Sequence, residues 1–301
     1  MYAGPAGFWL LRDRTEADLN LPGPAPQLGD PPGTRHYEIP LAIQDRSFHA
    51  DGSLFYPEGR QFFDEYKGPY HPETPASPHW NPEVFGNAML VNGRTWPYLE
   101  VEPRLYRFRM LNGSNSRFMV LRFDRAGLVF HQIGSDGGLL PGAPLRQDQL
   151  LMAPAERVDA IVDFSAFQPG DEIVMLNLGP DEPYKGPNPE EKQAAADPKT
   201  TGLVMKFKVT ALTENGNKGE IPTQLPAIDA LTTSLQPRDI TLNEHMYDAA
   251  GIPVAALLGT GAQGPLTWGD AVTENPMVGD VEIWRIINLT EDAHPVHLHL
   301  V

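Results

Sequence analysis

The last eight residues, His294-Pro295-Val296-His297-Leu298-His299-Leu300-Val301, hold three of the nine histidines of the chain. Neutral imidazole is a donor for copper, zinc, iron or nickel. On an extended strand successive side chains alternate, so His297 and His299 project to one face. Their rings can then converge on one ion or on two neighbouring ions. His294 precedes a proline, which favours extended or turn backbone and lets its ring point elsewhere. The spacing H-x-x-H-x-H makes His294, His297 and His299 candidate metal ligands.

Other groups offer less. Cysteine is absent, which removes disulfides, iron–sulfur clusters, thiolate zinc sites and cysteine nucleophiles. A blue-copper site needs a thiolate, so these residues cannot complete one alone. His36, His49, His71, His79, His131 and His245 are scattered and read as non-catalytic; His71 and His79 lie in a Pro-rich stretch that orients neither. Asp136-Gly137-Gly138 reads as a turn, since its glycines permit positive φ. No helix pattern follows it to supply an anion site. Asp159 and Asp163 alternate with Ile161 and read as solvated residues, and Glu156-Arg157 as an ion pair at a strand start. There is no GxSxG elbow, and no GxGxxG after a strand, so neither a hydrolase triad nor a dinucleotide site is supported.

Strands must position the histidines. Strand patterns recur at 37–44 (YEIPLAIQ), 88–91, 105–111 (LYRFRML), 118–123 (FMVLRF), 158–164 (VDAIVDF), 172–176, 203–209 (LVMKFKV), 239–242 and 281–287 (VEIWRII),. Turn-rich segments between them predict β-sandwiches or barrels. The run 8–11 (FWLL) is strand-like without a partner hairpin nearby, and 189–196 (PEEKQAAA) is the best helical candidate. Residues 107–123 (RFRMLNGSNSRFMVLRF) lie over 283–299 (IWRIINLTEDAHPVHLH) as a weak repeat. Both read as a strand ending in Asn, a polar turn and a second strand. Arg109 falls on Arg285 and Asn112 on Asn288. The slots of His294, His297 and His299 hold Phe118, Leu121 and Phe123 in the first copy. The first copy therefore reads as a metal-blind scaffold and the second as metal-bearing.

Length and composition bound the rest. The 301 residues allow about two domains,. Gly (28) and Pro (31) are abundant, which predicts many turns, yet they stay below the level of a disordered chain,. The net charge of -16 argues against nucleic acid, whose affinity rests on basic groups, and against anionic membranes,. No apolar run approaches the roughly 18 residues of a membrane span. The N-terminus has no basic region before an apolar stretch and is a poor secretion signal; the compartment stays open. Polar, Pro- or Gly-rich breaks at 21–34, 179–200 and 210–226 read as a connector, a long exposed loop between strands, and a linker.

HPVHLHL after EIWRIINLT resembles a copper-ligand motif of the multicopper oxidases, the group of laccases, bilirubin oxidases, spore-coat laccases and phenoxazinone synthases. The resemblance extends through YAGPAGFWLLRD, IQDRSFHADGSLFYP, LVNGRTWPYLEVEPRLYRFRMLNGSNSR, QIGSDGGLLP and LMAPAERVDAIVDFS, and is greatest to the bacterial laccase and bilirubin oxidase branch. It implies an all-β chain of cupredoxin-like Greek-key sandwich or barrel domains, one complete and one partial. The implied boundaries are 1–20 for the end of a first domain, 21–34 for a connector and 35–210 for a metal-blind second domain. A linker at 211–234 and the start of a copper-bearing third domain at 235–301 follow. By this resemblance His294 matches a type 1 copper ligand, His297 a type 2 ligand and His299 a type 3 ligand. The implied activity is oxidation of phenolic or aromatic substrates coupled to reduction of dioxygen to water. The family's HxH motifs should precede Tyr2, and its HCH motif and axial methionine should follow Val301, so the chain is expected to be a fragment with a partial ligand set. Water or a neighbouring chain, including self-association, would then fill the sites. No blue colour is expected from these residues alone. The rival expectation is a non-enzymatic copper- or zinc-binding β-scaffold.

Overall fold

A computed structural model describes residues 6–56, 83–187, 192–213, 218–247 and 252–298. The structure is nearly all β. The sequence from Glu38 to Val209 builds two sheets. The larger is centred on β6 (Leu105–Asn112), which pairs in parallel with β1 (Glu38–Phe48) and antiparallel with β12 (Arg157–Asp163). β3 (Ala88–Val91) and β8 (Phe130–Ser135) extend it on either side, with short strands β2 (Leu54–Phe55), β4 (Arg94–Thr95), β9 (Gly138–Leu139) and β10 (Leu145–Gln147) at the margins. The smaller sheet runs β11 (Leu150–Met152), β7 (Met119–Phe123), β13 (Glu172–Asn177), β14 (Leu203–Val209), β5 (Tyr98–Val101).

The strand patterns explain the packing. β7 (MVLRF) and β13 (EIVMLN) alternate buried and more exposed residues, as strands with one core-facing side must,. Their inner residues meet those of β6 and β12 around Phe108, Phe123, Phe164 and Phe207, each at most 2% exposed. The Phe123 and Phe130 rings stack at 4.6 Å, and Phe164 meets Phe207 at 5.3 Å. Each such phenylalanine contributes about 1.5–3 kcal/mol by burial.

A third sheet runs β17 (Gly264–Pro265), β16 (Ile252–Thr260), β15 (Arg238–Tyr247), β18 (Trp284–Asn288). It repeats the first at the level of register. Arg109 on β6 pairs with Pro40 and Asn112 with Ile43; Arg285 on β18 pairs with Asp239 and Asn288 with Leu242, again in parallel. The weak sequence repeat is therefore one hydrogen-bonded unit used twice. The surroundings differ: β6 has a neighbour on each side, whereas β18 pairs only with β15 among the described residues.

Several expectations need correction. Residues 8–11 are not strand. Instead a single helical turn, α1 (Arg14–Ala17), follows them, capped by Asp13, whose side chain accepts from Glu16 N–H at 2.8 Å,. It brings Glu16 onto the sheet and into a network with Arg12, Arg107 and Arg109. The helix candidate 189–196 lies partly outside the described residues, and 192–196 is irregular; Gln193 instead binds back to Glu182 and the Pro183 carbonyl. The loop 179–200 is not simply exposed, since Pro180 and Ala196 are buried. Asp159 is not solvated: it is 7% exposed and takes a two-pronged grip from Arg107 at 2.9 and 2.6 Å. Arg157 pairs with Asp136 rather than Glu156, whose carboxylate accepts from Ala153 N–H. The strand expected to align His297 and His299 is absent over 293–298. In the first copy the matching strand, β7, is held by β11 and β13, which follow it in sequence. Among the described residues no counterpart of either strand pairs with 293–298.

Candidate metal centre

β18 delivers the chain to a corner closed by Asn288. Its Oδ1 accepts from Thr290 N–H at 3.0 Å and its Nδ2 donates to the Asp292 carbonyl at 2.7 Å. Leu289 N–H donates to the Leu242 carbonyl on β15 at 3.0 Å. The first copy closes the same way. Asn112 Oδ1 accepts from Ser114 N–H at 3.0 Å, Asn112 Nδ2 donates to the Arg117 carbonyl at 2.9 Å, and Gly113 N–H donates to the Ile43 carbonyl at 2.7 Å. A primary amide suits the position because it offers a donor and an acceptor on one planar group.

The structure places His294 on the exposed face just past this corner. Its Nε2 lies 2.7 Å from Thr290 Oγ1. That hydroxyl also lies 2.8 Å from Asn288 Oδ1 and 3.1 Å from the Asp292 carbonyl, both acceptors. The single hydroxyl proton goes to one of these oxygens, so the hydroxyl accepts from Nε2–H. In this tautomer the lone pair lies on Nδ1. Fixing one ring nitrogen by a hydrogen bond so that the other can bind an ion is how ligating histidines are oriented.

Carboxylates surround the corner. Burial pushes the Glu83 carboxyl up to about 8, with the charges of Asp292 and Glu244 adding to the rise. Its Oε2 is buried without a hydrogen-bond partner. Burial also raises Asp292 and Glu244, each opposed by nearby His294. The charges of Asp292 and Glu244 favour a cation, whereas Glu83 stays protonated at neutral pH,. Ala293 N–H donates to the Tyr184 carbonyl at 2.7 Å.

Imidazole suits copper, and the His294 geometry fits a ligand, but the set is short. His297 is exposed on irregular backbone, and His299 lies outside the described residues. Among the described residues no three His, Asp or Glu side chains are grouped to hold an ion. Within the described residues His294 and His297 are not joined by a third ligand, and the expected grouping with His299 lies outside them. Glu291-Asp292 beside His294 was legible in sequence as local negative charge. Glu83 and Glu244 were not, because only the fold brings them to Asp292.

A cleft of about 470 Å³ beside α1 is not an alternative anion site. Its Arg12, Arg107 and Arg109 are already paired with Glu16, Glu38 and Asp159. Burial would raise Glu38, but hydrogen bonds from Arg12 and Arg109 and the charge of Arg107 hold it below the usual carboxylate value.

The layered sheets and Asn-closed corners define a cupredoxin-type β fold. No protein-family model matches the chain. A laccase of Bacillus stratosphericus is 39% identical over 310 residues, covering 100% of this chain and 52% of the relative. Multicopper oxidase LPR1 of Arabidopsis thaliana is 34% identical over 304 residues, covering 100% and 45%. Among solved structures, a variant of the McoA multicopper oxidase of Aquifex aeolicus aligns with a TM-score of 0.62 at 27% identity, covering 94% of this chain and 52% of that one. A multicopper oxidase of Pediococcus acidilactici aligns at 0.56 and 27% identity, covering 83% and 42%. The chain belongs to the multicopper oxidase family and spans about half the length of the curated relatives it matches. No described helix is long and apolar enough to cross a membrane.

Proposed function

We propose that the chain is the central part of a laccase-like multicopper oxidase, with His294, His297 and His299 as ligands of its type 1, type 2 and type 3 coppers. When bound, the coppers supply one-electron oxidation of phenolic or aromatic substrates and four-electron reduction of dioxygen to water. The chain's own contribution is positional. Asn288 closes the corner, Thr290 holds the His294 ring with Nδ1 available, and the charges of Asp292 and Glu244 act on it. The observation that carries this reading is the change from Phe118 to His294 at one position of a duplicated corner. The first copy fills that slot with a core ring, 8% exposed; the second presents an oriented imidazole.

We assign 35–210 to a complete metal-blind domain, 235–301 to the start of a copper-bearing one, 1–20 to the end of a preceding one, and 21–34 and 211–234 to connections. The short ligand grouping favours a second reading for the 301 residues alone, a metal-binding β-scaffold without turnover. Metal analysis with a phenol-oxidation assay separates the two. Stoichiometric copper with turnover, from this chain or with a polypeptide completing it, supports the oxidase. Zinc or no metal, with no turnover in either form, supports the scaffold.

A further inference from the structure

The two copies of the corner face one loop, 181–187, between β13 and β14. The loop is fastened to the first copy. Arg117, fully buried, pairs with Asp181 and donates to the Pro180 carbonyl at 3.2 Å. The other Asp181 oxygen accepts from Asp197 N–H at 2.9 Å and Thr201 Oγ1 at 2.8 Å. Gln193 ties the loop internally, donating to the Pro183 carbonyl and accepting from Lys185 N–H. The entry is close: a Cβ at Gly179 would lie 2.6 Å from the Phe118 carbonyl oxygen, so only glycine fits,.

Held this way, Tyr184 meets both corners. Its ring packs on Phe118 at a centroid distance of 4.9 Å, and its carbonyl accepts from Ala293 N–H, the residue before His294. Beside it, the charge of Lys185 acts on Asp292. We infer that Tyr184 is a positioning residue: it docks the His294 corner on the metal-blind sandwich and so sets where that imidazole stands. The metal to be bound there rests on the copper reading above; the positional claim rests on the contacts.

The test uses the ¹⁵N-labelled full chain with Tyr184→Gly and Tyr184→Phe, read by amide exchange and by the His294 ring signals. Tyr184→Gly removes the ring and frees the backbone. It should speed exchange of the Ala293 amide about tenfold, the scale of one hydrogen bond, and move the His294 signals. Amides of Met110 and Ile161 should exchange as before. Tyr184→Phe, which keeps the ring, should match the parent. Unchanged Ala293 exchange in Tyr184→Gly, or equal acceleration throughout the sandwich, would overturn the inference. A parallel Cu(II) addition to the parent chain tests the copper reading separately. Loss of the His294 signals supports that reading; intact His294 signals overturn it while the exchange result still decides the role of Tyr184.

Discussion

The Asn112 and Asn288 corners are closed by the same kind of amide clasp, with Asn112 reaching the Arg117 and Met152 carbonyls and Asn288 the Asp292 carbonyl, and they differ in the side chains they present. After Asn112, Ser114 accepts from the Asp45 N–H, Arg117 is buried among Asp45, Gly86 and Asp181, and Phe118 enters the core. After Asn288 the matching positions are Thr290, Ala293 and His294, and the ring stays exposed. One backbone device thus serves two ends. Where the following strand is paired on both sides, the slot is filled by apolar packing. Where no described strand follows, the slot holds an imidazole. The amide closure fixes the backbone, so the side chains are released to differ.

The comparison is broken most severely at Arg117. Arg117→Ala strands Asp45 inside the sandwich and should lower stability by about 3–5 kcal/mol in urea unfolding; a loss of only a few tenths would mean the first corner is not held by its buried ion pairs. Next is the swapped slot itself. Phe118→Ala should cost about 3 kcal/mol, whereas His294→Ala should stay within about 0.5 kcal/mol. Equal costs would show that His294 is a packing residue.

Glu83 sharpens the comparison through pH. Its carboxyl is raised from 4.5 to about 8, chiefly by burial. Between those values the folded state binds a proton that the unfolded state has lost, so stability falls as pH rises. The contribution is complete below about 4.5 and gone above about 8. Glu83→Gln should flatten this fall and stabilise the chain at pH 8 by an amount on the order of 1–3 kcal/mol. Parallel pH–Tm curves for the parent and the variant would contradict the buried placement of Glu83 against Asp292 and Glu244.

Much of the scaffold was legible because alternation survives in single strands: 105–111, 203–209 and 88–91 reappear as β6, β14 and β3 with ends displaced by at most one residue. β8 and β11 were missed because Phe130–Ser135 and Leu150–Met152 are too short or too polar to alternate visibly. The repeat of Arg109 on Arg285 and Asn112 on Asn288 was legible and became a shared register. The strand expected through His297 does not form over 293–298, because alternation alone cannot hold a strand and no described strand pairs with it there. The Arg107–Asp159 pairing was hidden because facing charges on neighbouring strands leave no local signature. Thr290 was overlooked beside the histidines, although its hydroxyl decides which nitrogen of His294 is available.

The central claim is that the second corner is built to present imidazole to copper and the first is not. Stepwise addition of Cu(II) to the ¹⁵N-labelled chain, followed through the histidine ring signals, tests it most directly. The signals of His294, His297 and His299 should broaden at the lowest copper additions, and those of His36, His49 and His131 only later. Simultaneous broadening of all the rings, or earlier loss of the scattered ones, would contradict it.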